Sequence, residues 1–240
     1  MELAEIARME QQEEHYWWHI GRRLVLRSVL SAHLKPMGNL DVLDIGCGTG
    51  INYRWLKSWG EVTGLDSSRE AIKYCKNKRA YDELVLSDAS KLPEDKFDII
   101  TAFDVLEHIQ DDTAVLTEWF EGLKGGGYLF LTVPAYQWMF SAHDKALHHF
   151  RRYSATGLRR KLRATGFEVK FLSPFFFFTF PVVMLVRLLS RHKTPKTSYV
   201  GTSSMVDTIL VDLSKLEAAG LSKGIGLPWG SSLLVLAQKL

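Results

Sequence analysis

The chain has 240 residues, of which 46% are hydrophobic and 24% are charged, and its formal net charge at pH 7 is +3. This composition supplies enough apolar surface for a core and excludes an intrinsically disordered chain. The mild positive charge does not indicate nucleic-acid binding, which usually needs a concentrated basic face. The acidic start lacks the apolar stretch of a secretory signal, and two cysteines, Cys47 and Cys75, fit a reducing cytoplasm without a disulfide between them.

Apolar spacing predicts a helix over residues 3–34, which ends at the proline and glycine of residues 35–39. From residue 41 strands and helices alternate, which predicts a parallel sheet with helices on both faces. The strands are predicted over residues 41–45, 61–66, 83–87, 97–103 and 128–133, and the helices over residues 51–59, 67–79 and 111–123.

The pattern changes after Pro134. A segment rich in histidine and arginine covers residues 135–153, a helix is predicted over 154–165 and a strand over 167–172. An apolar stretch follows, the segment 190–230 has no clear assignment, and residues 231–237 form a closing apolar strand.

Three glycines, Gly46, Gly48 and Gly50, stand directly between a predicted strand and a predicted helix. Glycines there let the backbone turn tightly and pass close to a ligand, and the helix behind them directs N–H groups at it. A dinucleotide fingerprint would place its third glycine at Ile51, so the spacing argues against a pyrophosphate ligand.

Carboxylates surround the glycines. Asp44 precedes them by two residues, where it can attract a cationic group directly or through water. Asp66 ends the second strand, where a carboxylate can accept two ribose hydroxyl protons or cap the next helix. Asp88 follows the third strand and Asp104 follows the fourth, beside the glycine loop in such a sheet.

The run Asp44-Ile45-Gly46-Cys47-Gly48-Thr49-Gly50, the acid Asp66 and the run Phe103-Asp104-Val105-Leu106-Glu107-His108-Ile109 resemble the class I S-adenosylmethionine (SAM)-dependent methyltransferases. The resemblance covers residues 40–134 and implies SAM as cofactor. It also implies a doubly wound, mostly parallel, seven-stranded Rossmann-like α/β sheet whose last strand is antiparallel. The implied cofactor-binding positions are Asp44, Ile45, Gly46, Cys47, Gly48, Gly50, Asp66, Ser67, Asp88, Ala89, Phe103, Asp104 and Val105.

A weaker resemblance links three further stretches to a bacterial and archaeal subgroup associated with envelope glycan or lipid genes. These stretches begin at His15, Val133 and His149. Related enzymes cover the cofactor with an N-terminal helix. We therefore expect Tyr16 or Trp17 to lie over the sulfonium and Arg22 to meet the cofactor's carboxylate, with simple aromatic packing as the alternative.

Acceptor residues are expected at the carboxyl ends of the fourth and fifth strands. His143 or His108 is the predicted general base, with Asp144 to orient His143 and Tyr153 as a further catalytic candidate. Arg151, Arg152 and His148 are predicted to bind an anionic acceptor. Each of these residues has a structural alternative, and no ligand spacing indicates a metal site.

The apolar run over residues 175–186 carries no charge, is interrupted by Pro181 and precedes Arg187, Arg191, Lys193 and Lys196. It is shorter than a bilayer span, so it predicts an interfacial helix, a wall of a lipid-acceptor pocket or a dimer contact.

Four parts are predicted: an N-terminal helical lid over 1–36, the SAM-binding Rossmann-like domain over 37–173, an apolar and basic cap over 174–230, and the closing strand over 231–240. The expected function is SAM-dependent methyl transfer, mainly to an oxygen of a small-molecule, glycan or lipid-linked acceptor. We expect a cytoplasmic monomer or homodimer with peripheral contact to the inner membrane face. The rivals are a SAM sensor without catalysis and a nicotinamide-dependent oxidoreductase.

Overall fold

A computed structural model describes residues 3–35, 38–189 and 203–240. Seven strands form one sheet in the order β3-β2-β1-β4-β5-β7-β6. The strands are β1 (Leu40–Ile45), β2 (Gly60–Asp66), β3 (Glu83–Leu86), β4 (Phe97–Phe103), β5 (Leu123–Pro134), β6 (Glu168–Phe175) and β7 (Ser232–Gln238). Only the pairs that include β7 are antiparallel. The predicted fold class is therefore confirmed.

The described residues form these α-helices: α1 (Leu3–His15), α2 (Trp17–His33), α3 (Tyr53–Leu56), α4 (Arg69–Asn77), α5 (Asp112–Gly122), α6 (Ala142–Ala146), α7 (Ala155–Ala164), α8 (Phe180–Leu189) and α9 (Ser204–Ser222). The helix predicted over residues 3–34 is divided at Tyr16, whose backbone is extended. The helix predicted over residues 51–59 is a single turn, α3. The unassigned segment contains the longest described helix, α9.

Two apolar clusters cover the two faces of the sheet because side chains alternate along each strand. On one face, α5 and α7 supply Val115, Trp119 and Leu158 to the core. On the other face, α2 and α9 supply Leu26 and Leu221, among others. Helices α2 and α9 therefore lie on the same face of the sheet.

The strand order reverses between β1 and β4, which both end at the same edge of the sheet. Ligands of doubly wound folds bind beyond the carboxyl ends of the strands at such a point. The glycine loop follows β1 and Asp104 follows β4, so the fold brings these two sequence motifs together.

The predicted cap lies between β6 and β7 and contains α8 and α9, although β6 continues to Phe175, inside the predicted cap. Among the described residues, no helix combines the length and the apolar character needed to cross a bilayer. Arg191, Lys193 and Lys196 lie outside the described residues.

Candidate cofactor and acceptor site

The glycine loop has the backbone conformation that the sequence predicts. Gly46, Gly48 and Gly50 have φ angles of +71°, +53° and +81°, a region that residues with a Cβ rarely adopt. A Cβ at Gly46 would lie 2.5 Å from a methyl carbon of Val105, so the loop and the turn after β4 are in close contact. The N–H groups of Gly46 and Cys47 both donate to the carbonyl of Leu65, at 2.7 and 3.0 Å. The loop is thus fixed against β2.

Asp66 connects the glycine loop with the turn after β2. Its carboxylate accepts a hydrogen bond from the backbone N–H of Gly48 at 2.9 Å and from that of Ser68 at 2.8 Å. Each oxygen retains a further lone pair for a ligand hydroxyl. Ser67 is exposed, and Ser68 rather than Asp66 caps α4 by accepting from the N–H of Ala71. The Asp66 carboxylate is therefore placed beside the loop as a ribose site requires.

Asp44 lies beneath the loop and is only 1% exposed. Tyr81 donates to one of its carboxylate oxygens at 2.6 Å, and Thr101 donates to the other at 2.7 Å. Burial raises the pKa of Asp44 to about 6, although both hydrogen bonds favour the ionised form. Because both oxygens already have protein partners, the indirect action of Asp44 on a cationic ligand is favoured over a direct contact.

The turns after β3 and β4 border one cleft of about 460 Å³. Asp88, after β3, and His108, after β4, both line it. Ala89, next to Asp88, is buried and has a φ of +60°. Phe103, also a predicted cofactor residue, has a different place. Its ring packs in the core against Trp55 and Phe130, with centroids 6.0 and 5.5 Å away.

Arg22 of the N-terminal helices reaches the end of β4, where its guanidinium forms an ion pair with Asp104. The Arg22 Cζ atom lies 5.1 Å from the ring centroid of Trp18, and its Nε is buried with no hydrogen-bond partner. Trp17 is buried in the core, so for this residue the structure favours simple aromatic packing over a position above the sulfonium. Tyr16 precedes α2 and contacts the Trp17 ring at 5.6 Å.

These groups fit SAM. The glycine loop is open beside Gly48, where the nearest atom to an added Cβ lies 3.8 Å away. Asp66 offers acceptors for ribose hydroxyls, and the buried Nε of Arg22 offers a donor for a carboxylate. One predicted contribution is corrected: α3 has four residues, and the N–H of Gly50 donates to Cys47 within the turn. A long helix directing free N–H groups at the ligand is therefore absent at this loop.

Asp144 is a structural group in α6 and is fully buried. Its carboxylate accepts from Nε of Arg152 at 2.7 Å, lies 3.0 Å from Nδ1 of His149 and closes a capping box with Ser141. The histidine that the fold brings onto Asp144 is thus His149, which the sequence argument had not selected. This network, rather than the predicted orientation of His143, is the role that the structure assigns to Asp144.

The predicted anionic clamp is also corrected. Arg152 is buried and pairs with Asp144, while Arg151 pairs with Asp112 at 2.9 Å. Tyr153 is buried and donates to Asp112 at 2.8 Å, and burial raises the pKa of its phenol. Arg151 and Tyr153 therefore hold the loop after β5 on α5, and Arg152 connects two parts of that loop. His148, the third predicted substrate residue, is exposed.

His108 and His149 lie edge to face, with ring centroids 4.7 Å apart, beside the buried carboxyl of Glu107. Among the residues that the structure describes, Glu107, His108 and His149 form a group of possible metal ligands whose donor atoms all lie within 4.8 Å of one another. Burial, with the nearby Asp104 carboxylate, raises the pKa of Glu107 well above its usual range. A raised pKa weakens metal binding, because the proton competes with the ion for the carboxylate.

We therefore expect methyl transfer to be independent of a divalent cation. Dialysis against EDTA, followed by assay with and without added Mg²⁺, Mn²⁺ or Zn²⁺, should leave the rate unchanged. A loss that one of these ions restores would contradict the expectation and would identify the Glu107 cluster as a metal site.

Several site residues were missed because their partners are distant in sequence. Tyr81 and Thr101 reach Asp44, and Thr49 of the glycine loop donates to Glu13 of α1. An isolated tyrosine, threonine or glutamate carries no motif. Only the position of Thr101 in a buried strand, where a hydroxyl needs a partner, was a usable signal.

A family model described as "Methyltransferase domain" matches residues 17–170. The mitochondrial ubiquinone biosynthesis O-methyltransferase of Candida albicans is 35% identical over 105 residues, which are 39% of this chain and 32% of that protein. The ubiquinone biosynthesis O-methyltransferase of Thiobacillus denitrificans is 26% identical over 201 residues, which are 72% of this chain and 86% of that protein.

The match to the Candida albicans protein thus spans about a third of that relative. Among solved structures, the SAM-dependent methyltransferase from Mesorhizobium loti superposes with a TM-score of 0.60 at 19% identity, over 87% of this chain and 95% of that chain. At this identity the likeness concerns the fold.

Proposed function

Because the chain belongs to the class I SAM-dependent methyltransferase family, we propose that it transfers the methyl group of SAM to an oxygen of a small-molecule acceptor. The observation that carries the proposal is the contact of the Gly48 N–H with the Asp66 carboxylate, which holds the loop and the ribose acceptor as one unit. The two O-methyltransferase relatives support oxygen as the accepting atom.

The residues of this chain have three tasks in that reaction. SAM, when bound, supplies an activated methyl group. Asp66 would hold the ribose hydroxyls and Arg22 would hold the carboxylate of the bound cofactor, which fixes the position of its methyl group. His108 or His143 accepts the proton of the acceptor hydroxyl. Burial lowers the pKa of each to about 4, so each ring is neutral at neutral pH and can act as a base.

The test is incubation of the purified chain with methyl-labelled SAM and an extract of lipids, glycans and small metabolites, followed by mass analysis. The expected result is one labelled class that contains an O-methyl group and is absent with Asp66→Ala. SAM binding without any labelled product would identify a sensor, and binding of a nicotinamide dinucleotide instead of SAM would identify an oxidoreductase.

The affinity for SAM should fall as the pH is lowered through 6. Asp44 is ionised above its pKa of about 6, and its charge attracts the cationic end of the cofactor. One-proton linkage limits the effect to about tenfold per pH unit. Calorimetry from pH 5 to pH 8 should show this slope, and Asp44→Asn should flatten it. An unchanged slope in that variant would assign the proton to another group.

Ionisation of Asp44 should have the opposite effect on the free energy of unfolding, which falls as the pH rises. The folded-state pKa of Asp44 is raised, so its contribution to folding is present at low pH and is lost as the pH rises through about 6. Binding and stability measured on the same variant therefore separate the two effects of one proton.

We further propose that the acceptor is a lipid-linked or otherwise amphipathic molecule. Phe180 at the start of α8 packs on Tyr136, which follows β5, with ring centroids 5.5 Å apart. The outer face of α8 leaves Val182, Leu185 and Leu189 exposed by 64%, 56% and 67%. An apolar helix beside the acceptor end of the sheet supports peripheral contact with the inner membrane face in the cytoplasm.

Vesicle flotation tests this contact. The full chain should float with vesicles of phosphatidylcholine and phosphatidylglycerol, and a Leu185→Ser, Leu189→Ser variant should bind about tenfold more weakly, because two leucine side chains no longer enter the lipid. Leu86→Ser removes an exposed leucine from the far edge strand β3 and is the matched control. Equal flotation of all three proteins would exclude α8 as the lipid contact.

A further inference from the structure

A buried carboxylate in the last helix takes no part in the chemistry described above. Glu217 of α9 is 5% exposed. Its two oxygens accept hydrogen bonds from the backbone N–H groups of Phe176, at 2.7 Å, and of Phe178, at 3.1 Å. A carboxylate that accepts from two backbone donors inside a protein fixes their geometry strongly. Glu217 therefore holds the turn that follows β6.

That turn needs to be held. Phe176 has a φ angle of +62°, in the left-handed region that a residue with a Cβ rarely adopts. Such a conformation persists only where the surroundings determine it. The two backbone hydrogen bonds to Glu217 supply that constraint from a helix about forty residues further along the chain.

The Phe176 side chain connects the turn to the cofactor lid. Its ring is 1% exposed and stacks on Trp18, with centroids 5.5 Å apart and an interplanar angle of 24°. The Phe176 ring also contacts Trp17 edge to face, with ring centroids 5.9 Å apart. Trp18 in turn lies against the guanidinium of Arg22, at 5.1 Å. A continuous series of contacts thus joins Glu217 to Arg22.

We propose that Glu217 is a positioning residue for the cofactor lid: by fixing Phe176 it places Trp18, and through Trp18 it places the Arg22 guanidinium for the carboxylate of SAM. This inference rests on the proposed function and deepens it. Gly21 supports a rigid arrangement, because a Cβ there would lie 2.4 Å from Oγ of Ser214, so α2 and α9 are in backbone-close contact beside the same turn.

The experiment is a double-mutant cycle on the full chain, with SAM affinity measured by calorimetry. Glu217→Gln keeps the shape of the side chain but places an amide N–H against the backbone N–H donors. It should weaken SAM binding about tenfold, which is within the range of measured couplings through packed side chains. In an Arg22→Ala background the same substitution should change affinity less than about twofold. Asp212→Asn, an exposed acid on the same helix, is the matched control and should have no effect.

A purely structural role would give a different pattern, because a general loss of stability weakens binding equally in both backgrounds. Equal losses, or unchanged affinity in Glu217→Gln, would overturn the positioning role while the unaltered chain still binds SAM. If the unaltered chain does not bind SAM, the proposed function fails as well. If Glu217→Gln does not fold, Trp18→Leu tests the next contact: it should weaken binding by a similar factor, Trp18→Phe should restore it, and unchanged affinity in Trp18→Leu would overturn the proposal.

Discussion

Substitution of Asp66 by alanine should raise the dissociation constant for SAM by about 30- to 150-fold. The carboxylate is the proposed acceptor for the ribose hydroxyls, and charge-assisted hydrogen bonds of this kind contribute about 2–3 kcal/mol. It also accepts from the N–H groups of Gly48 and Ser68, so its loss loosens the glycine loop. Calorimetric titration of the variant with SAM measures the change.

Two comparisons make the result specific. Glu94→Ala removes an exposed acid outside the site and should leave the affinity unchanged. Asp66→Asn retains one acceptor oxygen and should lie between alanine and the unaltered chain. If Asp66→Ala bound SAM as tightly as Glu94→Ala, the ribose assignment would be wrong and the cofactor would have to bind elsewhere.

Replacement of Asp144 by alanine should lower the free energy of unfolding by about 3–5 kcal/mol, because removal of one partner of a buried ion pair leaves the other charge uncompensated. The stranded groups are Arg152 and His149, which lie 2.7 and 3.0 Å from the carboxylate. Urea denaturation followed by fluorescence gives the value, and Glu121→Ala, on an exposed part of α5, provides the reference.

The same carboxylate predicts a pH dependence. Burial alone would raise the pKa of Asp144, but the hydrogen bond from His149 and the charge of Arg152 outweigh it and hold the pKa well below its usual range. The stabilising contribution is therefore complete above about pH 4, the ordinary aspartate pKa, and is lost as the pH falls further. If Asp144→Ala had unchanged stability and no activity, Asp144 would instead be a catalytic residue.

The sequence predicted the sheet well because most strands are short apolar runs between turn residues, although β5 begins five residues earlier than predicted. The strand over residues 97–103 has the predicted bounds. The helix predicted over residues 51–59 was too long because apolar spacing reports burial, and Trp59 is buried from the turn that follows α3 as readily as from a helix. Helix α9 was missed because Met205, Ile209 and Leu216 are exposed on it, which obscures the periodicity.

Site residues were predictable where their neighbours in sequence determine them. The glycine loop and Asp66 depend on adjacent strands, so their relation follows from the fold class. Arg151 and Arg152 were not predictable, since a loop arginine has the same appearance in a sequence whether it is paired or free. Their partners, Asp112 and Asp144, are chosen by tertiary packing. The same limit applied to Glu217, whose turn lies in another part of the chain.

The packing of α2 on α9 has a consequence for the order in which the molecule is made. Residue 21 meets residue 214 in the finished fold, so nearly the whole polypeptide must leave the ribosome before the first long helix finds its partner. Contacts of such sequence separation form slowly, because the entropy of closing the intervening loop is lost before the contact contributes any free energy. The glycine loop and its strands can assemble earlier, whereas Arg22 of α2 gains the support of α9 only after that helix has been synthesised.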